Sequence, residues 1–284
     1  MTKPTADISI IAANYNNGRY LDAFIRSVKA STMLPRELII VDDGSTDDSH
    51  ETLARHADLP FLKSIIFKDN RGFTDALNTA LEAASAKYIM RADPDDLLLP
   101  ARIQTQHAFL EQHPEVDVLG SNVIYFRDTD GAPLNVSNFP LQHREIAARY
   151  RQGEHGLQHP TACARAAVYK AYRYQKIFPA EDYEIFARMI KDGRVFANLH
   201  EPLYRMRIHT GSSTSNLQQA HIAQTFLFRD KIFGTATSRW KIWTYYQHIR
   251  HYRKSQLANN PITKYAHLLL SVLCYPQKLI SRLF

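Results

Sequence analysis

The densest chemistry in this sequence is a run of four residues, Asp93-Pro94-Asp95-Asp96. Three carboxylates this close repel one another, and a cation among them relieves the repulsion. Oxygen ligands of this kind suit Mg²⁺ or Mn²⁺, which keep several waters and share phosphate oxygens with a substrate. A solvated loop with helix-capping aspartates uses the same residues, because an apolar run follows Asp96. A second acidic stretch, Val41-Asp42-Asp43-Gly44-Ser45-Thr46-Asp47, offers carboxylates to a base or a ribose hydroxyl while Gly and Ser turn the chain. Capping of the next helix by Ser45 or Thr46 explains it equally well on local grounds. Glu181-Asp182 opens a helix and supplies either a general base toward a hydroxyl or charges that complement the helix dipole. His209 suits a structural position as well as a ligand position. Neither GxGxxG nor GxxxxGK occurs, so a nucleotide here would be held by carboxylates and metal.

Positioning these groups falls to an alternation of strands and helices. Ile8-Ser9-Ile10-Ile11-Ala12 reads as a strand that stops at the turn formers Asn14 to Gly18. Leu21, Phe24, Ile25 and Val28 then recur at helical spacing. Leu38 to Val41, Ser64 to Phe67 and Tyr88 to Met90 are further strands, and a helix with Phe73, Leu77, Ala80, Leu81 and Ala84 on one face lies between the last two. Near-continuous apolar strands separated by amphipathic helices imply a parallel sheet covered on both faces, with ligands beyond its carboxyl edge. Asn14-Tyr15-Asn16, Asp42-Asp43, Asn70 and Asp93-Asp95-Asp96 all fall at that edge. Beyond about residue 100 the pattern loosens. It predicts a helix at 101–112, a strand at 116–126, a turn at Asp130-Gly131 and a helix around 145–150. Two extended runs follow at 195–199 and 203–208, leading into the polar stretch His209 to Thr214.

The 284 residues, 45% hydrophobic and 22% charged, suffice for a catalytic domain with an appendage. Two distant cysteines, Cys163 and Cys274, make no disulfide framework or zinc motif, and a reducing cytoplasm is expected. The start, Met1 to Asp7, lacks the pattern of a signal peptide. Net charge is +7, unevenly spread: after Glu201 one acid, Asp230, accompanies twelve Lys and Arg, so that end carries +11 and the rest −4. The last ~70 residues add Trp240, Trp243, Tyr245, Tyr246 and Tyr252. Their apolar run, Tyr265 to Tyr275, is well short of the ~20 residues that span a bilayer. The tail is expected to lie on an anionic membrane surface, an ordinary helical subdomain with a basic face being the alternative.

Taken in order, Ile10-Ile11-Ala12-Ala13-Asn14-Tyr15-Asn16, Ile39 to Asp47, Asn70-Arg71-Gly72 with Ala76-Leu77-Asn78, Arg91 to Asp96, Glu181-Asp182-Tyr183 and Tyr204 to His209 resemble family 2 glycosyltransferases. The resemblance covers roughly residues 7–215. It implies an α/β GT-A fold: a Rossmann-like parallel-sheet core at about 1–98 that binds a nucleotide sugar, an acceptor-binding half at 99–215 with the catalytic base, and a basic helical tail at 216–284. It implies that Tyr15 packs on the base, that Asp43 hydrogen-bonds it, and that Arg71, Asp93 and Glu181 also serve the donor. Asp95 and Asp96, with His209, match the metal-binding positions, and Asp182 matches the base of an inverting single displacement. The partners so implied are a UDP-linked donor with Mn²⁺ or Mg²⁺ and an acceptor hydroxyl on a cell-surface polysaccharide or lipid-linked glycan. The work would be done at the inner face of the cytoplasmic membrane. Two departures stand out: Ala12-Ala13 replaces a common Pro-Thr, and Pro94 replaces a small residue; neither removes a functional group.

Two other classes fit parts of the chain. A nucleic-acid-binding protein would use the basic aromatic tail, but it leaves the ordered acidic loops without a role, and no nucleic-acid partner is expected. A metal-dependent nucleotidyltransferase shares the carboxylates, yet it calls for a Gly-rich, Lys-containing phosphate loop that is absent.

Overall fold

A computed structural model describes residues 3–177, 179–209, 218–258 and 260–276. The polar run from Thr210 to Thr214, the expected boundary at 215–216 and the basic chain end with Lys278 and Arg282 lie outside the described residues, as do Met1 and Thr2. The fold separates into two compact units, residues 1–215 and 216–284.

In the first unit, β1 (Thr5–Asn14), α1 (Gly18–Ala30), β2 (Leu34–Asp42), α2 (Ser49–Arg55), β3 (Leu62–Ile66), α3 (Phe73–Ala83) and β4 (Tyr88–Arg91) form the expected alternation. Leu21, Phe24, Ile25 and Val28 of α1 are all fully buried, which is why that face holds the helix to the sheet. The strands run β3-β2-β1-β4, mutually parallel. Chain order reverses direction around β1, which makes the crevice beyond the ends of β1 and β4 the ligand position of such a sheet. In register, Asn14 faces Asp42 and Ile11 faces Arg91, so the polar residues of three strands finish side by side.

The parallel sheet does not continue through the second half. β5 (Leu97–Leu98), α4 (Arg102–Gln112), β6 (Val118–Arg127), β7 (Pro133–Val136), α5 (His143–Arg151), β8 (Cys163–Arg165), α6 (Ala166–Tyr172), α7 (Glu181–Lys191) and β9 (Phe196–Ile208) complete the unit. β8 lies antiparallel between β4 and β6, and the sheet continues through β9 to β5. Neither β8 nor α6 stood out in the sequence, because three residues of strand and two turns of helix are too short to display a period. The two expected runs at 195–199 and 203–208 are one strand of 13 residues, irregular opposite Asn122 and Pro202. Proline cannot donate to the ladder, so the register shifts there and the strand continues.

Two fully buried side chains, Arg102 and Gln106, tie the halves together. Arg102 donates from Nη2 to the carbonyls of Arg91 and Pro160, at 2.8 Å each, and Gln106 donates to the carbonyls of Leu119 and Thr161 at 3.1 and 2.9 Å. Buried carbonyls that the short β8 region leaves unpaired are thereby satisfied.

The second unit contains α8 (Gln219–Phe233), α9 (Arg239–Leu257) and α10 (Pro261–Cys274). Gly234 closes α8 in the left-handed region at φ 66°, Ser238 caps α9, and Asn260 caps α10 with Pro261 behind it. A small core of Ile222, Phe226 and Tyr245 holds the helices, and His248 and Ser271 join α9 to α10 at 2.9 Å. Among the described residues no helix is long and apolar enough to cross a membrane.

Gly44 follows β2 at φ +72°, and a Cβ there would stand 2.8 Å from the backbone of Asp69 and Asn70. Both the conformation and the space require glycine. Gly44→Ala is expected to lower unfolding free energy by about 1–3 kcal/mol, measured by chemical denaturation, and to displace the 70–72 turn.

Candidate active site

The carboxyl ends of β1 and β2 are locked by a buried polar network. Asn14 Nδ2 donates to Asp42 Oδ2 at 2.7 Å and to Ser49 Oγ at 3.0 Å. Ser45 donates from both N and Oγ to Asp42, at 2.9 and 2.7 Å. Ser45 thus ties the loop to the strand end, and it is not the cap of α2, whose N-cap residue is Asp48. Burial raises the Asp42 pKa, but the donors from Ser45, Asn14 and His50 outweigh it and hold the carboxylate below its usual range. Asp43, 2% exposed, accepts the backbone N–H groups of Arg71 and Gly72 at 2.7 and 2.9 Å. Each oxygen keeps a further lone pair for a ligand. Beside it, Tyr15 is 47% exposed, a flat surface on which a ring can stack.

The acidic loop that follows β4 is not a helix cap, since β5 comes next and α4 begins only at Arg102. Asp93 pairs with the fully buried Arg91 guanidinium, and its backbone N–H donates to Tyr204 Oη at 2.9 Å. Asp96 Oδ1 accepts the Arg207 N–H at 2.6 Å, and Arg207 Nε donates to the Asp95 carbonyl at 2.7 Å. Asp95 Oδ2 lies 3.0 Å from His209 Nε2. Burial, then the charges of Asp95 and Asp93, push Asp96 well above the usual carboxylate range. Enclosure likewise raises Asp93, with Arg91 opposing and Asp95 adding. This is the signature of carboxylates crowded beyond what the local cations neutralise.

From the other half, α7 brings Glu181 and Asp182 in its first turn. The Tyr183 N–H donates to Asp182 Oδ1 at 2.7 Å, and His155 Nδ1 stands 3.9 Å from Asp182 Oδ2. Asp182 is 30% exposed, open to an incoming hydroxyl. Glu181 is 8% exposed, its Oε2 has no hydrogen-bond partner, and burial with the Asp182 charge pushes it up to about 7.

One cavity of about 490 Å³ collects these groups. Its walls include Tyr15, Asp43, Asp93, Asp95, Asp96, Glu181, Asp182 and His209, residues spread over almost 200 positions of sequence. Arg71 is the exception: only its backbone serves Asp43, while its guanidinium lies 4.2 Å over the Phe67 ring. Sequence reasoning marked His159-Pro160-Thr161 as a polar cluster but gave no role to His159 or Arg207, which also line the cavity, or to the buried Arg91. The last two lay inside segments singled out for their acids and His209; His159 sat in a three-residue turn with no period to mark it.

Among the described residues no group of three or more His, Cys, Asp or Glu is arranged to hold a metal ion. Asp95 and His209 are adjacent and of the right chemistry for a divalent cation that takes its other ligands from phosphate and water. Asp96 is directed to a backbone N–H instead.

The protein resembles solved GT-A enzymes over nearly its whole length. It matches S. aureus TarS 1–349, solved with UDP-GlcNAc, with a TM-score of 0.64 at 18% identity, covering 95% of this chain and 82% of that one. It matches the mannosyltransferase PcManGT of Pyrobaculum calidifontis, solved with GDP-Man and Mn²⁺, with a TM-score of 0.57 at 17% identity, over 96% and 74%. In sequence it is 32% identical over 210 residues to the putative glycosyltransferase EpsE of Bacillus subtilis, covering 70% of this chain and 72% of that protein. It is 30% identical over 212 residues to the amylovoran biosynthesis glycosyltransferase AmsE of Erwinia amylovora, covering 73% and 78%. The fold is thus the GT-A fold. The model of glycosyl transferase family 2 matches residues 9–175, and the chain belongs to that family.

Glu181 generates a test on stability. Its carboxyl is raised from 4.5 to about 7 in the folded protein, so the native state holds its proton longer than the unfolded chain. Stability is therefore lost as pH climbs from ~4.5 through ~7. Glu181→Gln removes the buried charge: at pH 8 the variant should be more stable than wild type by on the order of 2 kcal/mol, and at pH 4 the two should coincide in urea melts.

Proposed function

We propose that this glycosyltransferase moves a hexosyl or N-acetylhexosaminyl group from a UDP-linked donor to a hydroxyl of a growing cell-surface polysaccharide or lipid-linked glycan, with inversion at the anomeric carbon. The observation that carries the reading is a single cavity walled both by Tyr15 and Asp43, which suit a base, and by Asp182, which suits a reacting hydroxyl. AmsE, named for amylovoran biosynthesis, supports the polysaccharide acceptor, and the likeness to TarS supports UDP.

Tyr15 stacks on the base, and Asp43 accepts a hydrogen bond from it. Asp93, oriented by Arg91, and Glu181 hold hydroxyls of the donor. Asp182 takes the proton of the acceptor hydroxyl while that oxygen bonds to the anomeric carbon and the bond to the diphosphate breaks. One carboxylate suffices, because no covalent glycosyl-enzyme is formed. Asp95 and His209, with Asp96 beside them, would hold Mn²⁺ or Mg²⁺, which when bound supplies positive charge to the leaving diphosphate. Arg207 adds a cation to the same wall.

The C-terminal unit serves as an anchor on the anionic inner face of the cytoplasmic membrane. Ile262, Tyr265, Leu269 and Leu273 recur along one side of α10 and are 79%, 69%, 61% and 66% exposed. Trp240 and Trp243 stack on each other with ring centroids 5.0 Å apart, exposed at the start of α9 among basic residues. An apolar stripe beside Lys and Arg is the pattern of an interfacial helix.

Asp182→Asn should lower turnover by at least about 10³-fold while donor affinity stays within about twofold, measured by release of free UDP and by calorimetry. Near wild-type turnover in that variant would remove Asp182 from its role. The full-length chain should co-sediment with vesicles containing phosphatidylglycerol, not with pure phosphatidylcholine, and high salt should weaken the binding. Equal binding to both vesicles, or none, would contradict the anchor.

A further inference from the structure

His159 belongs to the cavity wall, yet nothing above uses it. It opens a short 3₁₀ turn, His159–Thr161, that the buried Arg102 and Gln106 clamp through the carbonyls of Pro160 and Thr161. Its Nε2 lies 2.6 Å from Tyr174 Oη, and Tyr174 Oη is in turn hydrogen-bonded to Tyr169 Oη. Tyr174 is itself fixed: Asn78 on α3 accepts its backbone N–H at 2.8 Å and donates to its carbonyl at 2.9 Å. The ring of His159 is therefore held from two independent elements. It has little freedom to turn.

The direction of the hydrogen bonds follows from counting donors. Tyr169 is fully buried, and the Tyr174 oxygen is the acceptor it meets. If Tyr174 donated to Tyr169, the Tyr169 O–H would be a buried donor with no acceptor, which is costly. Every hydroxyl is satisfied only when Tyr169 donates to Tyr174 and Tyr174 donates to His159 Nε2. His159 must then carry its proton on Nδ1. Burial, with Arg91 and His155 adding to it, holds the ring well below its usual pKa, so it is neutral and has that one N–H to offer. Nδ1 makes no hydrogen bond within the described residues. On the same cavity wall Glu181 Oε2 is a buried acceptor without a partner. An unused donor and an unused acceptor in one cavity suit a ligand hydroxyl, which both accepts and donates.

We propose that His159 is a sugar-recognition residue, its Nδ1–H donating to a hydroxyl oxygen of the donor's sugar while Glu181 accepts from that hydroxyl or its neighbour, with Tyr174 and Tyr169 as positioning residues that fix the tautomer. The proposal rests on the nucleotide-sugar reading above and adds to it the part of the cavity that reads the sugar. It explains why a neutral imidazole is built into a wall otherwise rich in carboxylates. Carboxylates only accept, and a sugar bears as many acceptor oxygens as donor hydrogens.

The test is calorimetry on the full chain with Mn²⁺, using UDP alone and a panel of UDP-hexoses and UDP-N-acetylhexosamines. His159→Ala should weaken the best-bound UDP-sugar about five- to tenfold and UDP by less than about twofold. His159→Asn, which retains an N–H donor, should recover part of the loss. Tyr174→Phe, which leaves His159 in place but frees its tautomer, should lose sugar affinity while keeping UDP affinity; it decides the matter if His159→Ala does not fold. Equal losses for UDP and UDP-sugar, or no loss for either, would overturn the role of His159 and leave the glycosyltransferase reading intact. A wild-type chain that binds neither UDP nor any member of the panel would overturn both. Nitrogen-15 shifts of the imidazole give an independent check: a proton on Nε2 in the wild type contradicts the donor count.

Discussion

Like charge is gathered here against its own repulsion. Asp93, Asp95, Asp96, Glu181 and Asp182 share a cavity, and two of them, Asp96 and Glu181, are buried. Water would separate such groups; the fold holds them in place with backbone N–H donors, the buried Arg91 and the Arg207 and His209 side chains on β9 and just beyond it. The compensation is incomplete by design of the surroundings: Asp96 and Glu181 remain raised, each by burial first and by a neighbouring carboxylate second. A site in this condition favours whatever brings positive charge or hydrogen-bond donors, and a nucleotide sugar arriving with a divalent cation brings both.

The two halves of the catalytic unit contribute differently. At the β1 and β2 ends the acceptors are already engaged by backbone donors, as in Asp43 with Arg71 and Gly72, so geometry there is set before any ligand arrives. On α7 and in the 159–161 turn, polar atoms are left without partners, as in Glu181 Oε2. Rigid recognition at one group of residues and unmet hydrogen-bonding capacity at another is the arrangement expected where a constant nucleotide and a particular sugar must be told apart.

Much of this was legible in the sequence, and the reasons are physical. Of the first four strands, β1, β2 and β4 are largely buried on both faces, so they read as continuous apolar runs, and their ends are marked by abrupt switches to Asn and Asp. The acids at 42–43, 93–96 and 181–182 stood out because they cluster where strands end and a helix begins, although capping accounted for each of them on local grounds. What could not be read was set by short or long-range features. β8 and α6 are too brief to show periodicity, β9 hides its continuity behind Pro202, and the Arg91–Asp93 pairing leaves no trace in local sequence. Arg71 was assigned to the donor by resemblance, whereas its side chain lies on Phe67. His159 stood in a polar cluster but was given no role, because its significance lies in two tyrosines and an asparagine from other stretches of chain.

On the proposed function, a divalent cation and a sugar nucleotide bind together among these acids. Incubating the purified protein with UDP- and GDP-sugars, with Mn²⁺, Mg²⁺ or chelator, and following free nucleoside diphosphate tests it most directly. Slow release from one donor class is expected, dependent on the metal and accelerated by the right glycan acceptor. Release that is indifferent to chelator would contradict the metal's place, and no release or binding with any donor would contradict the whole.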